Sequence, residues 1–141
     1  MKQKDFYNTS AWKYFSRYIL LYYSNNNVVQ CSTCGKWYIL PNKYIHCGHL
    51  YKSDKNRGIA LDFHNAAPQC YRCNVYFSGQ PDKMRDWLIK KHGIENMDRL
   101  IVRKNIAKKL DKFELDVYKE HYKTLFNELV RKKKNPWKNN Q

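Results

Sequence analysis

The sequence predicts a small α+β fold in which short β-strands lie between flanking helices and a bound zinc ion stabilises the whole. The main observation is two Cys-x-x-Cys pairs, Cys31/Cys34 and Cys70/Cys73. Four thiolates in two such pairs are the usual ligands of a closed, tetrahedral zinc site. The second observation is length. A chain of 141 residues buries only a modest core, so metal binding would add folding free energy that such a core lacks.

The composition favours a nucleic-acid partner and predicts no contact with a membrane. The chain carries 27 Lys+Arg against 12 Asp+Glu, a formal net charge of +15, and such an excess attracts polyanions. The polar start predicts no signal peptide, and no apolar run approaches the length of a membrane span. Five cysteines, four of them in the paired motifs, indicate a reducing compartment and metal binding. The fifth, Cys47, is predicted to be a small buried residue.

Helices are predicted on both sides of the cysteine pairs. Residues 9–23 form the first, because Thr9 or Ser10 can cap it and apolar residues recur at helical spacing on one face. These are Trp12, Phe15, Ile19 and Tyr22. Turn-forming residues delimit two further helices, at residues 81–91 and 94–102.

A long basic helix is predicted over residues 112–134. It carries an apolar stripe at alternating three- and four-residue steps: Leu115, Tyr118, Tyr122, Leu125 and Leu129. We expect this stripe to pack on the first helix. The alternative is a two-helix seam between two copies of the chain, which would make a homodimer.

Between the helices the pattern predicts β-strands around two zinc knuckles. Residues 28–40 form a hairpin with the first cysteine pair at its tip. Residues 44–50 form a strand that contains two histidines, and residues 59–63 form a second strand. Residues 71–77 open a short helix after the second knuckle. The order knuckle, hairpin, knuckle and helix is typical of a treble-clef-like zinc fold with a ββα unit inside it.

The histidines and asparagines near the knuckles exceed what a structural zinc needs. His49 follows Gly48, whose missing side chain allows close backbone approach. Asn65 precedes the second knuckle and Asn74 follows it directly. Zinc ribbons mostly support structure, and an asparagine such as Asn74 commonly caps a helix. The ordered series His49, Asn65 and Asn74 is nevertheless the arrangement of an HNH-type, or ββα-metal, nuclease.

Six segments between residues 11 and 100 match the pattern of one family: 11–19, 31–35, 47–49, 61–65, 68–74 and 78–79. On these segments the chain resembles the NinG/Rap family of phage recombination nucleases and, more distantly, the endonuclease-VII and HNH nucleases. One position departs from the pattern. The family usually has an arginine shortly before the aspartate of the second strand, where this chain has Ala60. Arg57 is a candidate substitute.

The resemblance implies a metal-dependent DNA endonuclease that acts on branched recombination intermediates, such as a Holliday junction or a D-loop. It also implies a phage-encoded protein in the cytoplasm of a bacterial host. His49 would be the general base, since a neutral imidazole accepts a proton near pH 7. Asn74 would hold a single Mg²⁺ or Mn²⁺ through its amide oxygen. Asn65 would fix the loop that orients His49. His46 is either a further ligand of this metal or a residue that supports the ligands.

On this interpretation the chain has three regions: an N-terminal helix that packs on the core (residues 1–27), a zinc-bound HNH-like nuclease core (28–102) and a basic helical tail with a disordered end (103–141). Residues 103–138 contain twelve Lys+Arg and five Asp+Glu. We expect the tail to contact DNA phosphates without reading sequence. The alternative is an ordinary solvated helix face.

DNA contacts are expected from basic and histidine side chains: Arg57, His64, Arg72, Arg131, Lys132, Lys133 and Lys134. Asp62 is expected to anchor Arg57 or a backbone amide, with metal binding as the alternative. Two other functions stay open at the level of sequence. One is a non-catalytic zinc-knuckle protein that binds nucleic acid. The other is a restriction- or homing-type HNH nuclease, although a chain of this size leaves no evident sequence-reading module.

Overall fold

The structure is a computed structural model and describes residues 1–135 and 137. Its helices are α1 (Gln3–Tyr7), α2 (Ser10–Tyr22), α3 (Pro81–His92), α4 (Ile94–Ile106) and α5 (Lys112–Lys133). Its strands are β1 (Val28–Gln30), β2 (Trp37–Ile39), β3 (Ile45–His49) and β4 (Ala66–Cys70). Two 3₁₀ turns (Arg57–Ile59 and Phe63–Asn65) precede β4, and a π-helical turn (Arg72–Tyr76) follows it. Five helices with two small sheets confirm the α+β prediction.

Helix boundaries follow the sequence signals closely. Thr9 accepts a hydrogen bond from the backbone N–H of Trp12 at 3.2 Å and so begins α2. At the start of α5, Asp111 and Glu114 form a reciprocal capping box. The short helix α1 was not predicted, and α4 runs on to residue 106, through the predicted boundary after residue 102. In the part of the chain that the structure describes, no helix combines the length and the apolar character needed to cross a bilayer.

The four strands form two separate antiparallel pairs, β1 with β2 and β3 with β4. The turn of the first pair contains the first cysteine pair, as predicted. The predicted strand at residues 59–63 is wrong, because this segment runs from the end of the first 3₁₀ turn to the start of the second, and the strand follows it. Since β4 is buried along its whole length, it lacks the apolar–polar alternation that marks a half-buried strand.

The main core lies between α2 and α5. Phe15, Ile19 and Phe126 are fully buried there, and Phe15 meets the ring of Tyr122 edge-on at a centroid distance of 4.9 Å. The predicted packing of the α5 stripe on the first helix is confirmed, because all five of its residues belong to or contact this core: Leu115, Tyr118, Tyr122, Leu125 and Leu129. The stripe is therefore not available as the seam of a homodimer. The homodimer itself stays a prediction, but the α5 stripe cannot be its interface.

A second, smaller core joins α3 and α4 to the opposite face of the β3–β4 pair. It contains Leu50, Ile59, Ala67, Met84, Leu88, Met97 and Leu100. Gly48 passes close to this layer: a Cβ atom there would lie 2.5 Å from Oε1 of Gln69 and 3.1 Å from Cε of Met84. The close approach expected at Gly48 is confirmed, and packing of the protein itself is what requires it.

The end of α5 is tied to the end of α2. Nζ of Lys133 donates to three backbone carbonyls at 2.8, 3.2 and 2.7 Å, those of Leu21, Tyr22 and Ser24. A lysine ammonium has three donors, and these bonds occupy all of them, so they do not support the prediction that Lys133 contacts DNA. Asn135 and Trp137 are also buried. The described part of the tail thus belongs to the fold, while most of the predicted disordered end, residues 136 and 138–141, lies outside the described residues.

Candidate active site

The four cysteines of the two knuckles converge on one point. Their Sγ atoms all lie within 4.8 Å of one another, and those of Cys34 and Cys70 are 3.8 Å apart. In a tetrahedron with Zn–S bonds of about 2.3 Å, the sulfur atoms are about 3.8 Å apart. The cluster can therefore hold a zinc ion, and the predicted convergence of Cys31, Cys34, Cys70 and Cys73 is confirmed. Cys47 is buried outside the cluster, as predicted.

Backbone contacts bring the two knuckles together. The N–H of Ser32 in the first knuckle donates to the carbonyl of Pro68 on β4 at 2.8 Å, and the N–H of Cys70 donates to Sγ of Cys31 at 3.3 Å. Burial raises the pKa of Cys31, but hydrogen bonds from Thr33 and from the Cys70 N–H outweigh burial and lower it to about 6. Cys31 is therefore readily present as the thiolate, which is the form that binds metal.

A cleft of about 670 Å³ lies beside β3, α1 and α2. Three of the residues predicted for catalysis or metal binding line it: His46, His49 and Asn74. The two histidines come from β3. Asn74 lies in the π-helical turn and directly follows Cys73, so the cysteine cluster fixes where Asn74 enters the cleft. The position of the two histidines on β3 and the position of Asn74 next to Cys73 together bring the three side chains into the cleft.

His49 is held as a neutral imidazole with a defined tautomer. Its Nε2 is 2.8 Å from the backbone carbonyl of Ala60. Because a carbonyl can only accept, Nε2 carries the hydrogen and Nδ1 is free to take up a proton. Burial lowers the pKa of His49 to about 4, and the hydrogen bond with Ala60 opposes this only in part. The ring of Trp12, 5.2 Å away between centroids, is one of its neighbours. A phosphate nearby would raise this pKa, since negative charge favours the imidazolium.

His46 and Asn74 are neighbours in the cleft. Nδ1 of His46 accepts from Nδ2 of Asn74 at 3.2 Å, and Nε2 of His46 donates to the carbonyl of Lys43 at 3.2 Å. Two adjacent ligands of an octahedral Mg²⁺, each about 2.1 Å from the ion, are about 3 Å apart. Turning the Asn74 amide by half a turn would bring its oxygen and Nδ1 of His46 to this spacing. The pair thus fits a divalent cation whose other positions are filled by water or phosphate.

Asn65 lies behind the cleft and is fully buried. Its Oδ1 accepts from the N–H of Tyr51 at 2.8 Å, and its Nδ2 donates to the carbonyls of Tyr51 and Ile59 at 3.0 and 3.2 Å. These bonds join the segment after β3 to the first 3₁₀ turn, next to Ala60. Asn65 therefore holds the backbone that supplies the hydrogen-bond acceptor of His49, without lining the cleft itself.

Three cationic side chains of the cleft were not among the residues predicted from the sequence: Arg17, Lys43 and Lys52. Nη1 of Arg17 is buried with no hydrogen-bond acceptor among the described residues. Its Cζ lies 5.7 Å from the centre of the Trp137 ring. A guanidinium with unused donors beside an open cleft is suited to an anion. The sequence signal was weak, since a single arginine on an amphipathic helix is ordinary.

Arg57 makes contacts within the fold and does not line the cleft. Its Nη2 donates to Oε1 of Gln3 at 2.5 Å, and its guanidinium packs over the ring of Phe6 at 4.6 Å. It thereby ties α1 to the first 3₁₀ turn. These contacts do not support the idea that Arg57 replaces the arginine that the family pattern has near Ala60.

Asp62 and His64 belong to a separate cluster. Both carboxylate oxygens of Asp62 accept from Arg103, at 2.7 and 3.1 Å, and one also accepts from the backbone N–H of His64 at 3.0 Å. Asp62 thus anchors a backbone amide, as one prediction held, and pairs with Arg103 in place of Arg57. Nη2 of Arg103 is also 3.2 Å from Nδ1 of His64. Arg72, another predicted DNA contact, is exposed beside Phe77.

Comparison with known proteins finds one family. The sequence model described as bacteriophage lambda NinG protein matches residues 1–134. The match therefore includes the cysteine cluster, every lining residue of the cleft and the whole of α5. Searches of curated proteins and of solved structures gave no match.

Proposed function

The chain belongs to the bacteriophage lambda NinG family, and from this premise we propose that it is a metal-dependent HNH-type endonuclease that hydrolyses phosphodiester bonds in branched DNA. The observation that carries the proposal is the state of His49. It is neutral, its Nε2–H is bound by the Ala60 carbonyl, and it lines a cleft with cationic side chains. A neutral, oriented imidazole next to phosphate-binding groups is what activation of water requires.

The HNH assignment is supported by the order of the elements. Strand β3 carries His49, strand β4 pairs with it, and a helical turn carries Asn74. Asn65 joins the segment between the strands to the turn beside His49. A ββα-metal nuclease needs this set: a base on the first strand, an asparagine that braces the loop and a metal ligand at the start of the helix.

In the proposed reaction Nδ1 of His49 takes a proton from the attacking water, and the Ala60 carbonyl stabilises the imidazolium that forms. Arg17, Lys43 and Lys52 bind the phosphates on either side of the scissile bond. A Mg²⁺ or Mn²⁺ held by Asn74 and His46 would supply positive charge opposite the phosphate oxygens and the leaving 3′ oxygen.

A cleavage panel tests the proposal. Zinc-loaded protein is incubated with a four-way junction, a D-loop, a flap and a linear duplex of related sequence, with Mg²⁺, Mn²⁺ or no added divalent ion. We expect cleavage only with a divalent ion, and faster cleavage of the branched substrates. A protein that binds the junction but cuts no substrate would be a non-catalytic zinc-knuckle protein. Cleavage of the linear duplex at one sequence would indicate a restriction- or homing-type enzyme instead.

A further inference from the structure

Three tyrosines stay exposed at the edge of the cleft although most aromatic residues pack in the core. The side chains of Tyr44, Tyr71 and Tyr76 are 56%, 43% and 74% exposed. The N–H of Tyr71 donates to the carbonyl of Tyr44 at 2.8 Å, which extends the β3–β4 pairing by one step beyond Ile45 and Cys70. We call these three side chains the tyrosine surface.

The tyrosine surface adjoins the candidate metal ligands. Tyr44 directly precedes β3, and its carbonyl accepts from the N–H of Tyr71, so the two residues lie side by side at the end of the strand pair that carries His46. The ring of Tyr71 is 5.7 Å from that of His46, edge-on, and 5.8 Å from that of Tyr76. His46 in turn contacts Asn74 at 3.2 Å. A ligand on the tyrosine surface would therefore reach directly into the cleft.

The charges around the tyrosine surface suit an anionic ligand. Nζ of Lys43 lies 5.1 Å from the centre of the Tyr44 ring, and Arg72 directly follows Tyr71 on an exposed turn. The two segments that form the surface, residues 43–50 and 70–79, contain no Asp or Glu. Exposed aromatic rings interleaved with basic side chains are the combination that binds single-stranded nucleic acid, because every base presents a face for stacking.

We propose that the tyrosine surface stacks on unpaired bases of DNA and so selects DNA with a branch or a single-stranded segment. This inference rests on the proposed nuclease function for its biological setting, and it names the feature of the substrate that the site recognises. Bases within a duplex are already stacked on their neighbours, so their faces are not accessible to a protein ring. At a branch they are accessible, and the adjacent phosphates then lie beside His46, His49 and Asn74.

The rings of Tyr71 and Tyr76 are nearly perpendicular, with an interplanar angle of 82°. Two such rings cannot both stack within one continuous column of bases. They suit a base that stacks on the face of one ring and touches the other ring with its edge. Bases take such positions when they are splayed apart. This geometry favours a branch point over a regular single-stranded helix.

Binding measurements in the absence of added divalent ions test the inference separately from cleavage. Fluorescence anisotropy at fixed salt gives the affinity for a twenty-nucleotide oligo-dT, a four-way junction and a twenty-base-pair duplex. The double variant Tyr44→Leu/Tyr76→Leu keeps apolar volume but removes two aromatic rings. We expect its affinity for oligo-dT and the junction to fall on the order of tenfold or more. Its affinity for the duplex should fall less than about twofold, because phosphate contacts dominate there.

Two matched variants act as controls. Tyr44→Phe/Tyr76→Phe keeps both rings and should bind like the wild type, whereas Phe113→Leu alters an aromatic residue that is equally exposed but lies on α5. Equal losses of affinity on all three DNAs, unchanged affinities in the Leu variant, or a wild type that does not bind oligo-dT would each overturn the inference. If the wild type cuts no DNA but the Leu variant binds oligo-dT less tightly, the nuclease proposal fails and the stacking surface stands. If the wild type cuts junctions and the Leu variant binds them equally well, the reverse holds.

Discussion

The cysteine cluster and the cleft both take residues from the β3–β4 pair and the turn that follows it, yet they differ in how far the protein completes each site. In the cluster, four identical ligands lie within 4.8 Å of one another. With zinc they form a closed site that keeps no position for a substrate. In the cleft, His46, His49 and Asn74 share an open wall with cationic side chains, and Nη1 of Arg17 has no acceptor within the described chain. The closed site serves stability, and the open one leaves groups free for an anion.

The dependence between the two sites runs in one direction. Asn74 directly follows the zinc ligand Cys73, and Nε2 of Gln80 donates to Sγ of Cys73 at 3.3 Å, so the helical turn keeps its place through the cluster. His49 hydrogen-bonds to Ala60, which lies outside the cluster. Removal of zinc should therefore destroy both sites, while a change at His49 should leave the cluster intact.

The largest effect is expected from Cys70→Ser. Zinc binding contributes on the order of 10–16 kcal/mol in small zinc domains, which is as large as the total stability of an ordinary domain. We expect this variant to lose its bound zinc and its cooperative thermal unfolding transition. Elemental analysis and a circular-dichroism melt measure both. Cys47→Ala is the matched control, because Cys47 is buried outside the cluster and its removal should leave the zinc content unchanged. A Cys70→Ser protein that stays folded without zinc would show that the two strand pairs are held together by the hydrophobic core alone.

The contrast between the cluster and the cleft also explains which features could be predicted from the sequence. The cysteine spacing is a local signal, because a knuckle turn places two thiols on one ion whatever surrounds it. The ends of α2, α3 and α5 were predicted well for a similar reason, since caps and prolines act within one turn of helix. The α5 stripe was informative because its partner, α2, was also amphipathic.

The cleft depended on contacts between distant segments, and these were only partly predictable. The hydrogen-bond acceptor of His49 is Ala60, which lies in the segment that was predicted as a strand and that instead connects two 3₁₀ turns. Burial of the neighbouring β4 on all sides removed the alternation that would have marked the real strand. The role of Lys133 was equally hidden, because its acceptors lie far away along the chain, at the end of α2. A lysine in a basic run gives no sign of this.

The second largest effect is expected from His49→Gln. Glutamine retains an N–H group that can donate to the Ala60 carbonyl and fills space beside Trp12, but it cannot take up a proton at neutral pH. We expect the cleavage rate to fall on the order of 10²–10⁴-fold, with zinc content, melting temperature and junction affinity close to those of the wild type. Single-turnover cleavage of a junction measures the rate. Full activity would remove His49 from the mechanism, and a variant that does not fold would make it a structural residue.

A smaller effect is expected from the basic residues at the end of α5, where Lys133 is bound to the end of α2 and its basic neighbours have no such contacts among the described residues. Arg131, Lys132 and Lys134 are basic residues at this end of the chain, and Arg131 and Lys132 are exposed. The variant Arg131→Gln/Lys132→Gln/Lys134→Gln should therefore weaken binding to all DNAs without changing the melting temperature. The slope of log affinity against log salt concentration should flatten by up to about 0.9 for each phosphate that the variant no longer binds.

Lys133→Met is the matched control for the triple variant. It should lower the melting temperature and leave the salt slope unchanged, because Lys133 donates to the end of α2. An unchanged slope in the triple variant would place the tail outside the interface. Truncation before Val130 would not test this, because Val130 and Trp137 are buried.

The smallest effect is a dependence of stability on pH that arises outside the cysteine cluster. Burial lowers the pKa of His49 to about 4. It also lowers the pKa of His92 to about 4, helped by the nearby charges of His64 and Lys91 and opposed by Asp62. In the unfolded chain a histidine titrates near pH 6.5, so between about pH 6.5 and 4 the unfolded state binds more protons than the folded state. The free energy of unfolding should therefore fall as the pH drops through this window and stay level with respect to these groups above about pH 7.

Urea unfolding at about pH 7 and about pH 5.5, with zinc content checked at both, measures this difference within the window that the two histidines set. His92→Gln should reduce the decrease in stability, because it removes one of the histidines whose pKa burial lowers in the folded state. His121→Gln, at an exposed position on α5, is the matched control and should not reduce it. An equal decrease in all three proteins would mean that His92 does not contribute, and that other groups, among them His49 and the zinc ligands, destabilise the fold in acid.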